Sequence, residues 1–172
     1  MNIGKMLLNW GPILRIRRNH ALEHATLQIL AQQNKASRLA GLSGTFGFWV
    51  IGQVDSEDLI QAAQEARKRL MSGEHSLAIH PNCGTNFVTS GIIGGLFAWL
   101  ATLSMPKTWR DRVDRLPNII SLVTIGLIFA QPLGPKMQEW VTTESQLGSL
   151  HLTEVQRFME RNPPAHRVLT SD

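Results

Sequence analysis

The sequence predicts an α+β membrane protein. A small α-β-β-α-β domain over residues 19–86 is followed by a two-helix transmembrane hairpin over 87–134 and a polar, short helical tail over 135–172. Three features carry this prediction. The apolar residues are gathered into two long uncharged blocks. A basic link of ten residues separates those blocks. The stretch before them switches between helical and β-type periodicity. Bulk composition hides this layout: a hydrophobic fraction of 43% and a mean hydropathy of −0.06 are ordinary for a soluble chain.

The first block, Phe87–Met105, reads FVTSGIIGGLFAWLATLSM, 19 residues without a charge. About 20 apolar residues cross a hydrocarbon core. The second, Leu116–Pro135, is also uncharged. Its best core is Asn118–Leu133, somewhat short, which predicts tilt or local thinning. Pro117 suits a helix start, and Pro132 with Gly134-Pro135 suits a stop. The link between them, PKTWRDRVDR, carries Lys107, Arg110, Arg112 and Arg115. So short a link makes the two helices antiparallel neighbours. Ser90 with Gly94, Gly91 with Gly95, and Gly126 with Ala130 lie four apart, a spacing that lets helix backbones approach closely in lipid.

Before the blocks, Met1–Arg18 mixes apolar residues with Lys5, Arg15, Arg17 and Arg18. It is too short and interrupted to span a bilayer and lacks a signal-peptide cleavage pattern. It reads as an interfacial segment or as a helix packed on the domain. Asn19–Asn34 follows as a helix with Asn19 as N-cap and Leu22, Ala25, Ile29 and Leu30 at helical spacing. Ser37–Val54 is expected as a β-hairpin, with Gly41, Gly44, Gly47 and Gly52 around Phe46, Phe48, Trp49, Val50 and Ile51. Asp55–Ser72 is a helix with Glu57 and Asp58 in its first turn, Arg67, Lys68 and Arg69 in its last, and Gly73 as the stop. Ser76–His80 is expected as a short strand leading into the membrane. In the tail, Thr153 and Gln156 form a capping-box pattern, and Asn162-Pro163-Pro164 ends the implied helix.

The formal net charge is +4. Residues 1–86 hold nine Lys/Arg and six Asp/Glu, residues 106–116 four and two, and residues 135–172 four and five. No run is dense enough to point to nucleic acid. Mild basicity beside apolar spans suits a lipid bilayer with anionic headgroups. The basic link points to the cytoplasm by the positive-inside rule. That would place the first domain outside, whereas the domain's own basicity, its lack of an export signal and a thiol that reads as reduced point to the cytoplasmic side; the side stays open, with the cytoplasm preferred. Cys83 is the single cysteine, so no intramolecular disulfide forms. A homo-oligomer or a partner in a membrane complex stays open.

Two clusters carry chemistry. His20-Ala21-Leu22-Glu23-His24 is H-x-x-E-H. On a helix, His20 and His24 stand one turn apart on one face and can hold one metal ion, with Glu23 beside them to polarise a water. By itself the pattern is weak evidence, more often that of a polar helix face with two incidental histidines. The second cluster, His80-Pro81-Asn82-Cys83-Gly84-Thr85-Asn86, sets an imidazole and a thiol three residues apart in a turn fixed by Pro81 and Gly84. His and Cys are preferred zinc ligands, although a lone Cys is more often a small buried hydrophobe. If His20 and His24 bind, Cys83 or His80 is the third ligand of an open, catalytic site. If all four bind, the site is closed and structural. A ligand left over would orient another one.

NHALEHATLQIL followed by HPNCGTN resembles a family of small bacterial membrane proteins of uncharacterised activity, found in cyanobacteria and their relatives. It is also similar to a larger bacterial membrane family held to be metal-dependent enzymes, which pair an E-H helix with an H-P-x-C-G-T turn. The resemblance covers roughly residues 19–105. It implies that Glu23, His24, His80 and Cys83, with His20 by the fuller motif, belong to one site, and it implies a bacterial inner or thylakoid membrane. It supplies no substrate, and the downstream Glu ligand of inverzincin peptidases has no clear counterpart here.

The expectation is a membrane-bound Zn2+-dependent hydrolase, most simply a peptidase acting on polypeptide near the membrane surface, with Glu23 as general base. The rivals are a non-catalytic metal module and a metal-free scaffold of a membrane complex. The glycine-rich stretch Gly41–Gly47 precedes a strand, so it is not a phosphate loop. Tight hairpin geometry explains it, and its edge can hold an extended peptide by strand addition. Trp49, Trp99, Trp109 and Trp140 read as core or membrane-interface residues. His75, His151 and His166 have no companions and receive no role.

Overall fold

The computed structural model describes residues 3–34, 38–103, 108–158, 160 and 162–172. Ser37, at the start of the expected hairpin, and Met105, Pro106 and Lys107, around the end of the first apolar block, lie outside the described residues. In chain order the elements are α1 (Ile3–Leu8), α2 (Gly11–Gln32), β1 (Ala40–Gly44), β2 (Gly47–Ile51), α3 (Ser56–Met71), a 3-10 turn (His75–Ala78), α4 (Gly84–Thr102), α5 (Trp109–Asp114), α6 (Leu116–Ala130), α7 (Leu133–Met137), a π turn (Gln138–Thr142), β3 (His151–Phe158) and β4 (Ala165–Ser171). They form two compact units, Met1–His80 with Glu139–Asp172, and Pro81–Gln138.

The first unit is a four-stranded antiparallel sheet, order β1-β2-β4-β3, with α2 and α3 packed on it and on each other. Alternation sets the buried face: Phe48 and Val50 of β2 point inward and pair with Val168 and His166 of β4. They meet Leu22, Ile29 and Leu30 of α2, Leu59 and Leu70 of α3, and Leu147 and Leu150 from the stretch before β3. The α3 helix is the one the sequence marks most clearly. Asp55 caps it by accepting from the Glu57 N–H at 2.8 Å, and Gly73 leaves it at a positive φ of 99°.

Three expectations are corrected in this unit. The first helix does not start at Asn19; it starts at Gly11, with Pro12 in the first turn, and runs 22 residues. Asn19 is therefore fully buried inside the helix rather than capping it. The expected strand Ser76–His80 is instead the 3-10 turn and a short extended exit. The expected tail helix is the β3–β4 pair, so the fold is not α-β-β-α-β with a helical tail: the sheet takes two strands from the tail. The sequence HLTEVQRF meets the sheet with one register shift between Leu152 and Glu154, and pairing with β4 outweighs a local capping pattern worth about 1 kcal/mol.

The second unit holds two helices long and apolar enough to cross a membrane, Gly84–Thr102 and Trp109–Ala130; the latter is α5 and α6 joined through Arg115. The first begins at Gly84, three residues ahead of the expected Phe87, and the second ends at Ala130, short of Leu133. Only 11% of each apolar window is buried. The two pack through glycine: a Cβ on Gly126 would lie 2.8 Å from the Phe97 ring, and one on Gly94 3.1 Å from Leu127. Of the two small-residue pairs expected on α4, the Gly91–Gly95 pair is not such a contact: a Cβ added at either would meet nothing within 4 Å among the described residues.

Candidate metal centre

One polar face of α2 carries the two histidines of the motif. Residues 20, 24 and 28 are spaced by one turn, so their side chains leave the helix on the same side. His20 Nδ1 lies 2.9 Å from the Thr142 carbonyl oxygen, and His24 Nδ1 lies 2.7 Å from the Ala78 carbonyl oxygen. Gln28 Nε2 donates to the carbonyls of Leu77 and Ile79, at 2.9 and 3.0 Å, and so fixes the turn that presents Ala78. Three residues earlier Arg17, nearly buried, donates Nη2 to the Thr143 carbonyl at 2.8 Å, while its own carbonyl accepts from Glu144 N at 3.0 Å. Those bonds hold Thr142 in place.

A carbonyl oxygen only accepts, so each Nδ1 must carry the proton. In the neutral ring this makes Nε2 the unprotonated nitrogen of both His20 and His24. The two rings are 4.3 Å apart between centroids, and ring nitrogens of the two lie within 4.8 Å of each other. His24 is 2% exposed, and the His80 ring lies 5.5 Å from it. His20, His24 and His80 are thus gathered within the first unit, as the sequence spacing leads one to expect for the first two.

Glu23 leaves α2 on the side facing β1. Its carboxylate is buried at 4% exposure and accepts a hydrogen bond from Ser43 Oγ. It fills the space where Gly41 has no side chain; a Cβ there would overlap the carboxylate. One turn earlier, Asn19 Nδ2 donates to the carbonyls of Gly44 and Thr45, at 2.8 and 3.2 Å, and its Oδ1 accepts from Thr170 Oγ1 at 2.7 Å. The motif helix is thereby fastened to β1 at both ends of a single turn.

Cys83 belongs to the second unit, where it caps α4: its Sγ accepts from the Thr85 N–H at 3.4 Å, and the residue is 6% exposed. Three chain steps from His80 limit the separation of their Cα atoms to about 11 Å.

A family model, the domain of unknown function DUF6391, matches residues 15–155. The chain belongs to this family. An uncharacterized protein of the cyanobacterium Picosynechococcus sp. (strain ATCC 27264 / PCC 7002 / PR-6) is 36% identical over 171 residues, covering 91% of this chain and 79% of that protein. No solved structure matches. The expected membership of an uncharacterised bacterial family stands at that level. The DUF6391 match spans His20, Glu23, His24, His80 and Cys83.

Sequence reasoning missed the groups that orient these residues. The carbonyls of Ala78 and Thr142 have no side-chain signature. Ser43 and Gly41 lie in a stretch that hairpin geometry already explained. His166, given no role, lies buried with Nε2 3.0 Å from Ser56 Oγ; burial pushes its pKa below the ordinary value, Arg157 adds to that, and Asp55 opposes it.

Proposed function

We propose that the chain is a membrane-anchored, zinc-dependent hydrolase, and specifically a peptidase. One observation carries the reading: two histidines one helical turn apart each give Nδ1–H to a main-chain carbonyl, the arrangement that orients metal-binding imidazoles. In this reading His20 and His24 bind zinc through Nε2, and the third ligand comes from the turn His80–Cys83. The ion would supply Lewis acidity and lower the pKa of water to about 7. Glu23 is the general base: its carboxylate takes the proton of the attacking water and returns it to the amine that leaves as the C–N bond breaks. Ser43 Oγ donates to that carboxylate, which lies in the space that Gly41 leaves without a side chain.

Anchoring is inferred from the second unit. Phe87, Ile92, Trp99, Ile120, Ile128 and Phe129 are all exposed on helices of spanning length. Apolar surface of that extent fits lipid tails better than water. The first unit is assigned to the cytoplasmic side on the reading of Cys83 as a reduced thiol, and against the positive-inside preference of the basic link between the two helices.

A second reading, a closed structural zinc site, draws on the burial of Glu23. Elemental mass spectrometry of the detergent-purified protein separates the readings. Near-stoichiometric zinc, lost in His24→Ala and in either His80→Ala or Cys83→Ala, supports an open three-ligand site. Zinc that survives Glu23→Gln, with hydrolysis abolished, supports the enzyme. Four ligands and no hydrolysis favour the structural site. No metal in wild type after reconstitution under reducing conditions overturns both and leaves the scaffold.

A further inference from the structure

The β1 strand lies at one end of the sheet order, paired on one side only. The direction of its backbone groups follows from the hydrogen bonds of β2. Phe46 O accepts from Thr170 N at 3.1 Å, and Gly52 N donates to Pro164 O at 2.8 Å. These bonds bracket the pairs Gly47↔Leu169 and Ile51↔Ala165, which are therefore non-hydrogen-bonded pairs of the β2–β4 ladder. Gly47, Trp49 and Ile51 accordingly turn their own N–H and C=O groups toward β1. Their partners there are Gly44, Leu42 and Ala40. By the same alternation Gly41 and Ser43 direct N–H and C=O away from the sheet.

That open edge is short, at five residues, which is one usual protection, but it lacks those that side chains provide. The strand reads AGLSG, with no charge and no proline, and Ala40, Gly41 and Leu42 are exposed. Among the described residues of the first unit, no strand pairs with it. Both of its outward-facing residues lie against Glu23: Ser43 donates its hydroxyl to the carboxylate, and a Cβ added at Gly41 would overlap it. A chain added to this edge would run about 4.8 Å from β1. Glu23 would lie beside it, on the helix side of the sheet.

We propose that β1 is the docking strand for an extended polypeptide, which pairs with the N–H and C=O groups of Gly41 and Ser43 and so passes alongside Glu23. The assignment of this peptide as a substrate rests on the hydrolase reading; the docking itself does not. Recognition through main-chain groups is insensitive to side-chain sequence, so an unfolded protein is a suitable ligand.

The test is residue-resolved hydrogen exchange on the full-length, zinc-loaded Glu23→Gln variant in detergent, with and without unfolded β-casein as probe. Chelator-treated wild type serves if that variant does not fold. Cleavage of β-casein by wild type is followed in parallel. The expected result is a slowing of Gly41 and Ser43 exchange by roughly tenfold or more, with Leu42, already bonded to β2, unchanged. Unchanged exchange at Gly41 and Ser43 under saturating β-casein overturns the docking strand, even if wild type cleaves the probe; the hydrolase reading then stands alone. Slowed exchange without cleavage by zinc-loaded wild type leaves the docking strand and removes the hydrolase.

Discussion

His24 Nδ1 sits 2.7 Å from the carbonyl oxygen of Ala78, in a pocket where both residues are 2% exposed. The bond ties the motif helix to a turn 54 residues away and fixes which ring nitrogen carries the proton. A histidine held in this way loses little freedom on taking a metal, which is the physical basis for the following expectation.

His24→Ala and His20→Ala should each weaken zinc binding by more than the roughly 10–100-fold that loss of an outer-shell partner costs. Competition with a chromophoric chelator measures it. Equal affinity in both variants and wild type would remove the two histidines from the ligand set.

Gly41→Ala should move the Glu23 carboxylate, because the added Cβ occupies its place. Misplacement by an ångström costs about 100-fold in rate. Zinc content should stay at the wild-type level while hydrolysis falls. Retained activity would show that Glu23 tolerates displacement and is not the general base.

Gly126→Leu should loosen α4 from α6 by about 1–3 kcal/mol, since even a Cβ at that position meets the Phe97 ring. Gly91→Leu, on the open face of α4, should be neutral. Thermal unfolding in detergent compares them. Equal effects would mean the two helices do not pack through Gly126.

The buried His166 gives a pH dependence of stability. Its folded pKa lies below the model-peptide value of 6.5, chiefly from burial. The unfolded chain therefore binds the proton first as pH falls. The stabilising contribution is complete above pH 6.5 and is lost as pH drops through the folded pKa. Melting curves of metal-free protein from pH 7.5 to 5 should decline less in His166→Gln than in wild type. Parallel declines would assign the loss to other groups.

The sequence by itself determined the elements whose cause is local. Asp55–Ser72 announces itself by a capping aspartate, charges that complement the helix dipole and a glycine stop, and α3 occupies Ser56–Met71. The two apolar blocks are legible because spanning length and absence of charge need no partner to recognise. The spacing of His20 and His24 places both on one helix face whatever surrounds the helix. Tertiary structure decided the rest. Asn19 has the chemistry of an N-cap, yet Gly44, Thr45 and Thr170 satisfy its side chain, and the helix continues back to Gly11. The tail carries a helix-capping pattern, but β4 offers it a ladder with one register shift and places Val168 in the core beside Phe48. A cap contributes about 1 kcal/mol, whereas burying a single large apolar side chain contributes about 1.5–3 kcal/mol. The non-local pairing therefore wins, and the same non-local contacts, at Ala78, Thr142 and Gly41, orient the histidines and Glu23.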